Sequence, residues 1–165
     1  MRFGVISDTH GREKNTRQAV RLLQQKQVDC VLHCGDVGSP EIVPLLAEWP
    51  THYVLGNVDL EIADRLQAAI EQQPQHTLHG RFAELEIAGR KIAMLHGDDL
   101  QRKQKEIESG TWDLLLYGHT HQAACDLAGE MIVLNPGALH RAAEYSIAIV
   151  ETSELDIEIV ALERS

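Results

Sequence analysis

The sequence predicts an α/β fold in which mixed β-sheets are covered by helices. In the first half, apolar runs typical of strands alternate with helix-like segments, and in the second half such runs flank glycine-containing turns. The first pattern is typical of parallel βα units and the second of antiparallel hairpins. With 165 residues, of which 44% are hydrophobic and 24% charged, we expect a single domain over residues 1–165.

The first half consists of three predicted strands, each followed by a helix. The strands are expected at 2–7, 28–34 and 51–56, and the first two helices at 13–26 and 39–49. Ser39 and Pro40 suit the start of the second helix, although Pro44 inside it argues against a long one. The third helix is indicated by an amphipathic stripe formed by Ile62, Leu66, Ala69 and Ile70.

The second half is dominated by predicted hairpins. The segments 81–87 and 91–97 flank Ala88, Gly89 and Arg90, a turn signal. A polar helix from Leu100 to Ser109 then precedes a strand at 112–118. Two further hairpins are expected over 123–135, around Gly129, and over 145–162.

The net charge of -10 and the aromatic content of 4% argue against sequence-independent binding of nucleic acid. No segment approaches the roughly 18 apolar residues of a membrane span, and the short apolar start is typical of a first strand rather than a signal peptide. The odd number of cysteines and the absence of a CxxC pair predict that Cys30 and Cys34 are buried free thiols, while Cys125 has no partner. A cytoplasmic location is therefore expected.

Polar residues collect at the ends of five predicted strands, nearly always beside a glycine. Because ligands of α/β sheets bind at the carboxyl ends of strands, these residues are the candidate site. They are Asp8, His10, Asp36, Asn57, His96, His119 and His121. For Asp59, capping of the following helix is an equally good explanation. His33 either supports the site or packs at a strand end.

The number of these donors indicates more than one metal ion. A catalytic transition-metal ion accepts about four to six ligands including water, so seven protein donors overfill one ion. Two ions about 3.5–4 Å apart that share one carboxylate accept all seven. Imidazole, carboxylate and amide ligands suit manganese, iron, nickel or zinc better than calcium or magnesium.

The order of the motifs DTH, GD, GNVD, HG and GHTH resembles the calcineurin-like metallophosphoesterase superfamily. The opening MRFGVISDTHG, and GHTHQ followed by LNPGAL, are similar to its small bacterial and archaeal phosphodiesterase branch. The resemblance covers the whole chain. It implies a four-layer αββα sandwich of two mixed β-sheets flanked by helices, with a two-metal site at one edge.

The resemblance also implies a role for each candidate residue. The first metal ion would be bound by Asp8, His10 and His121, and the second by Asn57, His96 and His119, with Asp36 bridging both. Thr120 would then be a spacer between two ligands. A hydroxide between the ions would attack phosphorus in line, and Asp36, Asn57 and His96 would act in catalysis through that hydroxide and by positioning the phosphate. Manganese is the expected metal, with nickel, iron and zinc as alternatives.

One position departs from the family pattern. Many phosphatases of the superfamily have a histidine directly after the asparagine of the GN motif, where it is expected to assist the leaving group. This chain has Val58 there, and a valine side chain transfers no proton. The departure favours diesters or activated substrates over difficult monoesters.

The expected function is therefore a metal-dependent phosphodiesterase acting on a small phosphoester. One alternative is a protein-interaction scaffold of the same fold, as in a retromer subunit, which predicts eroded ligands. Another is a single-strand nuclease, which would need a basic groove or stacking aromatics. Edge strands make a homo-oligomer plausible, and no membrane partner is expected. Four histidines are interpreted as surface or structural, namely His52, His76, His79 and His140. The turn Asn135-Pro136-Gly137 is expected near the site. Arg12 and Arg141 are expected to be solvated, with contact to the substrate phosphate as the alternative.

Overall fold

The computed structural model describes residues 1–163, which form eleven strands in two sheets together with three α-helices. The strands are β1 (Arg2–Ile6), β2 (Cys30–His33), β3 (Thr51–Tyr53), β4 (His76–Leu78), β5 (Phe82–Ile87), β6 (Arg90–Leu95), β7 (Leu114–Leu116), β8 (Ala124–Ala128), β9 (Met131–Asn135), β10 (Ser146–Glu151) and β11 (Asp156–Ala161). The α-helices are α1 (Glu13–Gln25), α2 (Ala63–Glu71) and α3 (Leu100–Ser109).

Both sheets are mixed, as predicted. The first has the order β11-β10-β1-β2-β3-β4, in which β1 to β4 are parallel, β10 is antiparallel to β1, and β11 is antiparallel to β10. The second has the order β5-β6-β7-β9-β8, in which β6, β7 and β9 are parallel and the two outer strands antiparallel. The three predicted hairpins are β5–β6, β8–β9 and β10–β11, so all three are confirmed.

Three apolar clusters separate four layers. One cluster packs α1 and α2 on the outer face of the first sheet and includes Leu23 and Leu66. A second lies between the sheets, where Phe3 of β1 and Met94 of β6 belong to the same cluster. A third covers the outer face of the second sheet, where Leu115 of β7 packs with partly buried side chains of α3 and the segment after it. The αββα order implied by the resemblance is therefore confirmed.

The second predicted helix is shorter and tighter than expected. A 3-10 helix occupies Pro40–Leu46, and Ser39 caps it by accepting a hydrogen bond from the backbone N–H of Glu41. Pro44 lies inside this segment and has no N–H to donate, which explains why the predicted α-helix over 39–49 does not form. A second 3-10 turn, Leu60–Ile62, leads into α2.

Two strands also differ from expectation. The edge strand β4 was not predicted, because it spans three residues of which only Leu78 is apolar. The strand predicted over 112–118 is confined to Leu114–Leu116, so the residues on either side of it are loop. Cys30 and Cys34 are buried free thiols, as predicted, and Cys125 is free and exposed. None of the described helices is long and apolar enough to span a bilayer.

Candidate metal centre

The carboxyl ends of five strands meet at one edge of the sandwich. Strands β1, β2 and β3 of the first sheet run parallel, as do β6 and β7 of the second. The loops after these strands carry all seven predicted ligands. Two clusters of ligand atoms form there, each with its atoms within 4.8 Å of one another.

The first cluster, here called the His121 cluster, consists of Asp8, His10 and His121. Oδ1 of Asp8 lies 3.1 Å from Nε2 of His121 and 3.7 Å from Nε2 of His10. The two imidazole nitrogens are 3.4 Å apart. These are the three residues that the family resemblance assigns to one ion.

The second cluster, here called the His96 cluster, consists of Asp8, Asp36 and His96. Oδ2 of Asp36 lies 3.3 Å from Nε2 of His96 and 3.5 Å from Nε2 of His10. Asp36 therefore lies between one histidine of each predicted metal set. Asp8 contributes to both clusters, which the sequence did not indicate.

The other two predicted ligands lie beside the His96 cluster. The ring of His119 is exposed and meets the ring of His96 edge to face, with centroids 5.1 Å apart. Asn57 is also exposed and follows Gly56, where a Cβ would lie 2.7 Å from Cγ of Asp36. After it, the backbone N–H of Val58 donates to Oδ1 of Asp36 at 3.0 Å. Asn57 is thus flanked by two residues packed on Asp36.

Two of the histidines are oriented by backbone carbonyls. Nδ1 of His96 lies 2.9 Å from the carbonyl oxygen of Cys34, and Nδ1 of His121 lies 3.4 Å from that of Arg141. If Nδ1 donates its proton to the carbonyl, Nε2 keeps its lone pair and faces the carboxylates. This is the tautomer and the outer hydrogen bond that metal-ligating histidines typically have.

The loops of the site have an unusual backbone. Five predicted ligands adopt positive φ angles between 45° and 67°, namely Asp8, His10, Asp36, His119 and His121. Non-glycine residues rarely enter this region, and each costs on the order of 1 kcal/mol or more. Backbone hydrogen bonds between loops hold the conformation, for example from the N–H of His10 to the carbonyl of Asp36 at 2.9 Å. Strain of this kind concentrates at functional sites.

Several supporting contacts were not anticipated. The hydroxyl of Ser7 donates to Oδ2 of Asp8 at 2.6 Å, and the N–H of His119 donates to the same oxygen at 3.1 Å. Asn135 donates to the carbonyl of Gly118 at 2.9 Å and to the hydroxyl of Thr120 at 3.0 Å. The expected turn at 135–137 therefore lies near the site and holds the loop that carries His119 and His121.

Asp59 does not cap the helix that follows it. Its buried carboxylate accepts three backbone N–H groups, from Val37 at 3.1 Å, Gly38 at 2.8 Å and Gly56 at 3.0 Å. These donors belong to the loops after β2 and β3. Asp59 thus ties together the two loops that present Asp36 and Asn57, and the helix-cap interpretation was wrong.

His33 supports the site from behind. Its Nδ1 accepts a hydrogen bond from the N–H of Gly35 at 3.2 Å, which leaves the proton on Nε2, 3.0 Å from the hydroxyl of Thr9. Gly35 and Thr9 adjoin the ligands Asp36, Asp8 and His10. Of the two interpretations of His33, support of the site is therefore the one that the contacts favour, and both ring nitrogens are engaged away from the clusters.

Burial lowers the pKa of His33 to about 4. A histidine with a depressed pKa in the folded state contributes its full stability at pH values above its unfolded-state pKa of about 6.5. This contribution is lost as the pH falls from there toward the folded-state pKa. We expect the NMR resonances of the His33 ring to stay constant from about pH 8 to about pH 5. A titration of His33 centred near its unperturbed value would contradict its neutral, buried state.

Neighbouring charges set the protonation of the clusters. Burial alone would raise the pKa of Asp8 and of Asp36, but hydrogen bonds and nearby imidazoles lower both. Burial would lower the pKa of His96, whereas the carboxylate of Asp36, 3.3 Å from Nε2, and the charge of Asp8 raise it. The carboxylates are therefore ionised, and a metal ion at His96 would compete with a proton for the ring.

His140 lies at the site, which its sequence context did not indicate. Its ring centroid is 4.9 Å from that of His10, and its Nδ1 accepts a hydrogen bond from Nε of Arg12 at 3.2 Å. By contrast, His52 and His79 contact each other at 2.9 Å, and His76 contacts Tyr53 at 3.2 Å. These last three histidines are structural, as predicted.

Two buried atoms test whether the clusters fit metal ions. Among the described residues, Oδ1 of Asp8 and Nε2 of His96 are buried polar atoms without a hydrogen-bond partner. Both belong to the clusters, where a divalent cation would satisfy them. Together with the carbonyl-oriented imidazoles, this shows that the donor set suits divalent metal ions.

Comparison with known proteins gives one family. The model of the calcineurin-like phosphoesterase superfamily domain matches residues 1–155. A curated phosphodiesterase of Methanocaldococcus jannaschii is 27% identical over 167 residues, covering 99% of this chain and 100% of its own length. A solved structure described as a novel archaeal phosphodiesterase has a TM-score of 0.90 at 26% identity, covering 98% of this chain and 100% of that one.

A further solved structure, vacuolar protein sorting 29 of Cryptosporidium parvum, has a TM-score of 0.65 at 20% identity, covering 99% of this chain and 97% of its own. At that identity the likeness shows the fold alone. The matched family model spans the five loops of the site up to the hairpin at the carboxyl end. The chain therefore belongs to the calcineurin-like phosphoesterase superfamily.

Proposed function

We propose that the protein is a phosphodiesterase that hydrolyses a small phosphoester at a two-metal site. The observation that carries the proposal is the pair of clusters joined by Asp8 and Asp36, in which carboxylate and imidazole atoms converge within 4.8 Å. The family and the curated phosphodiesterase relative support the same reaction.

The proposed roles of the ligands follow the two clusters. Asp8, His10 and His121 would bind one ion, while Asn57, His96 and His119 would bind the other. Asp36 would bridge both, which its position between His10 and His96 supports. The two ions would act as Lewis acids on the phosphoryl oxygens and lower the pKa of the attacking water.

The chain's own residues would orient the reaction. Ser7 and the N–H of His119 fix the carboxylate of Asp8, while Val58 fixes that of Asp36 through its backbone N–H. Attack by water forms a new oxygen–phosphorus bond and breaks the bond to the leaving group. The side chain of Val58 is 40% exposed and offers no proton at that position. A leaving group that departs as a stable anion is therefore favoured.

Reconstitution of metal-stripped protein tests the function. We expect turnover of bis-p-nitrophenyl phosphate to return with manganese, and to smaller extents with nickel, iron or zinc, because imidazole ligands suit these ions. Magnesium is expected to restore little. The matched monoester, p-nitrophenyl phosphate, should be hydrolysed more slowly than the diester. An enzyme that turns over neither ester with any of these metals would refute the proposal.

The scaffold alternative is less well supported. A scaffold predicts eroded ligands, whereas all seven predicted positions carry side chains that can bind a metal ion, and five of them adopt positive φ angles of the kind that concentrate at functional sites. A nuclease would share the site but would need a basic groove, which the net charge of -10 does not favour. We further propose a single domain and a cytoplasmic location, the compartment that the three free thiols fit. A homo-oligomer stays a prediction.

A further inference from the structure

Two cavities reach the metal-ligand clusters. One, of about 330 Å³, borders His121 and is here called the His121 groove; its lining includes His121, Ala123, Arg141, Ala142, Glu144 and Ile159. The other, of about 140 Å³, borders His96 and the ion pair between Arg81 and Asp98. Pockets that bind small molecules usually have volumes of about 300–1,000 Å³, so of these two only the His121 groove is large enough for an organic group.

The His121 groove is continuous with the site. His121 forms part of its wall, while Nε2 of the same residue lies 3.1 Å from Oδ1 of Asp8. On the other side of the ring, Nδ1 lies 3.4 Å from the carbonyl oxygen of Arg141, and Arg141 also lines the groove. A phosphate bound at the His121 cluster would therefore have the groove within reach of one of its ester substituents.

The lining of the groove indicates what kind of group it accepts. Arg141 and Glu144 carry opposite charges, so the two formal charges of the side chains outside the metal cluster cancel. Ala123 and Ala142 add apolar surface, and Ile159, 40% exposed, forms part of an open side. Such a mixed and neutral surface suits an uncharged organic group with polar and apolar parts better than a second phosphate.

We propose that the His121 groove binds the substituent that a phosphodiester keeps after cleavage, and that it selects an uncharged organic group of about nucleoside size. This inference rests on the proposed phosphodiesterase function. It names the substrate class of the same site and gives a physical reason for a diester preference, because a monoester has no second substituent to place in the groove.

The test compares two diesters that share one leaving group. Thymidine 5′-(p-nitrophenyl phosphate) and methyl p-nitrophenyl phosphate both release p-nitrophenolate and differ only in the retained substituent. We expect wild-type kcat/KM to be about tenfold or more higher for the thymidine ester, the size of effect that a well-packed substituent produces. Ala123→Trp and Ile159→Trp, which fill the groove from two different walls, should each remove most of this preference.

Control experiments distinguish an effect of the His121 groove from an effect of a tryptophan elsewhere in the protein. Ala68→Trp places the same side chain on the exposed face of α2, away from the groove, and should keep the wild-type ratio. As a readout independent of turnover, thymidine 5′-monophosphate should shift the methyl NMR resonances of Ala142 and Ile159 in zinc-loaded protein, while methyl phosphate should not. If one tryptophan variant fails to fold, the other and the NMR titration still decide.

The outcomes distinguish the two proposals. Equal kcat/KM for both diesters in the wild type, or a preference that persists in both tryptophan variants, would refute the proposed role of the His121 groove. The proposed phosphodiesterase function would not be affected by either result. Methyl resonances that do not respond to thymidine 5′-monophosphate would also refute the role of the groove. Absence of turnover with every ester and metal would refute both the proposed phosphodiesterase function and the proposed role of the His121 groove.

Discussion

Asp36→Ala is expected to abolish turnover and to reduce the occupancy of both metal ions. Its Oδ2 lies 3.5 Å from Nε2 of His10 and 3.3 Å from Nε2 of His96, so the variant removes a carboxylate from between the two predicted metal positions. Loss of a group that only supports a ligand costs about 10- to 100-fold, so loss of a shared ligand should lower kcat by more than about 100-fold. Elemental analysis of the loaded protein measures the metal content beside the kinetics.

Two further variants separate lost charge from lost structure. Asp36→Asn keeps an oxygen that can accept the N–H of Val58, so its fold should be intact while its metal content falls. Asp126→Ala removes an exposed carboxylate of β8 and should change neither. Near-normal turnover by Asp36→Ala with two ions bound would refute the bridging role.

Gly118→Ala is expected to disrupt the site through a single methyl group. A Cβ at this position would overlap Oγ of Ser7 and lie 2.6 Å from Oδ2 of Asp8. Because both atoms are buried and hydrogen-bonded to each other, they cannot move without loss of that contact. We expect the free energy of unfolding to fall by about 1–3 kcal/mol, the usual cost of overpacking. Chemical denaturation measures the stability, and diester turnover should fall as Asp8 is displaced.

The double variant Ser7→Ala/Gly118→Ala tests whether steric overlap causes the loss of stability in Gly118→Ala. It removes one of the two overlapping atoms, so it should recover part of the stability but little of the activity, since Asp8 remains crowded. Gly129→Asn is the matched control, because Gly129 has an open environment and a φ of 66°, which asparagine tolerates. A Gly118→Ala variant that unfolds and turns over like the wild type would show that the loop packing has been misread.

The layers and most of the candidate site follow from patterns that the sequence contains. Strand and helix periodicity predicts α1 and the three hairpins, and the carboxyl-end rule explains why residues as distant as Asp8 and His121 meet. The left-handed backbone at Asp8 and Asp36 has no such signal, because it depends on hydrogen bonds between loops that are far apart in the chain.

The features that sequence reasoning missed share a physical cause. His140 approaches His10 only because the loop after β9 folds back toward α1, a contact across 130 residues that no periodicity reports. Asp59 looks like a helix cap, yet three loop amides compete for its carboxylate more effectively. The 3-10 helix at Pro40–Leu46 shows the same limit, since the pattern of apolar residues does not distinguish it from an α-helix.

The central claim is that one carboxylate joins two metal positions at the edge of the sandwich. Anomalous diffraction from manganese-loaded crystals tests it most directly, because the scattering of the metal locates each ion independently of the protein. We expect two peaks about 3.5–4 Å apart, one beside His10 and His121 and the other beside His96, with Asp36 contacting both. A single peak, or two peaks of which Asp36 contacts only one, would contradict the account.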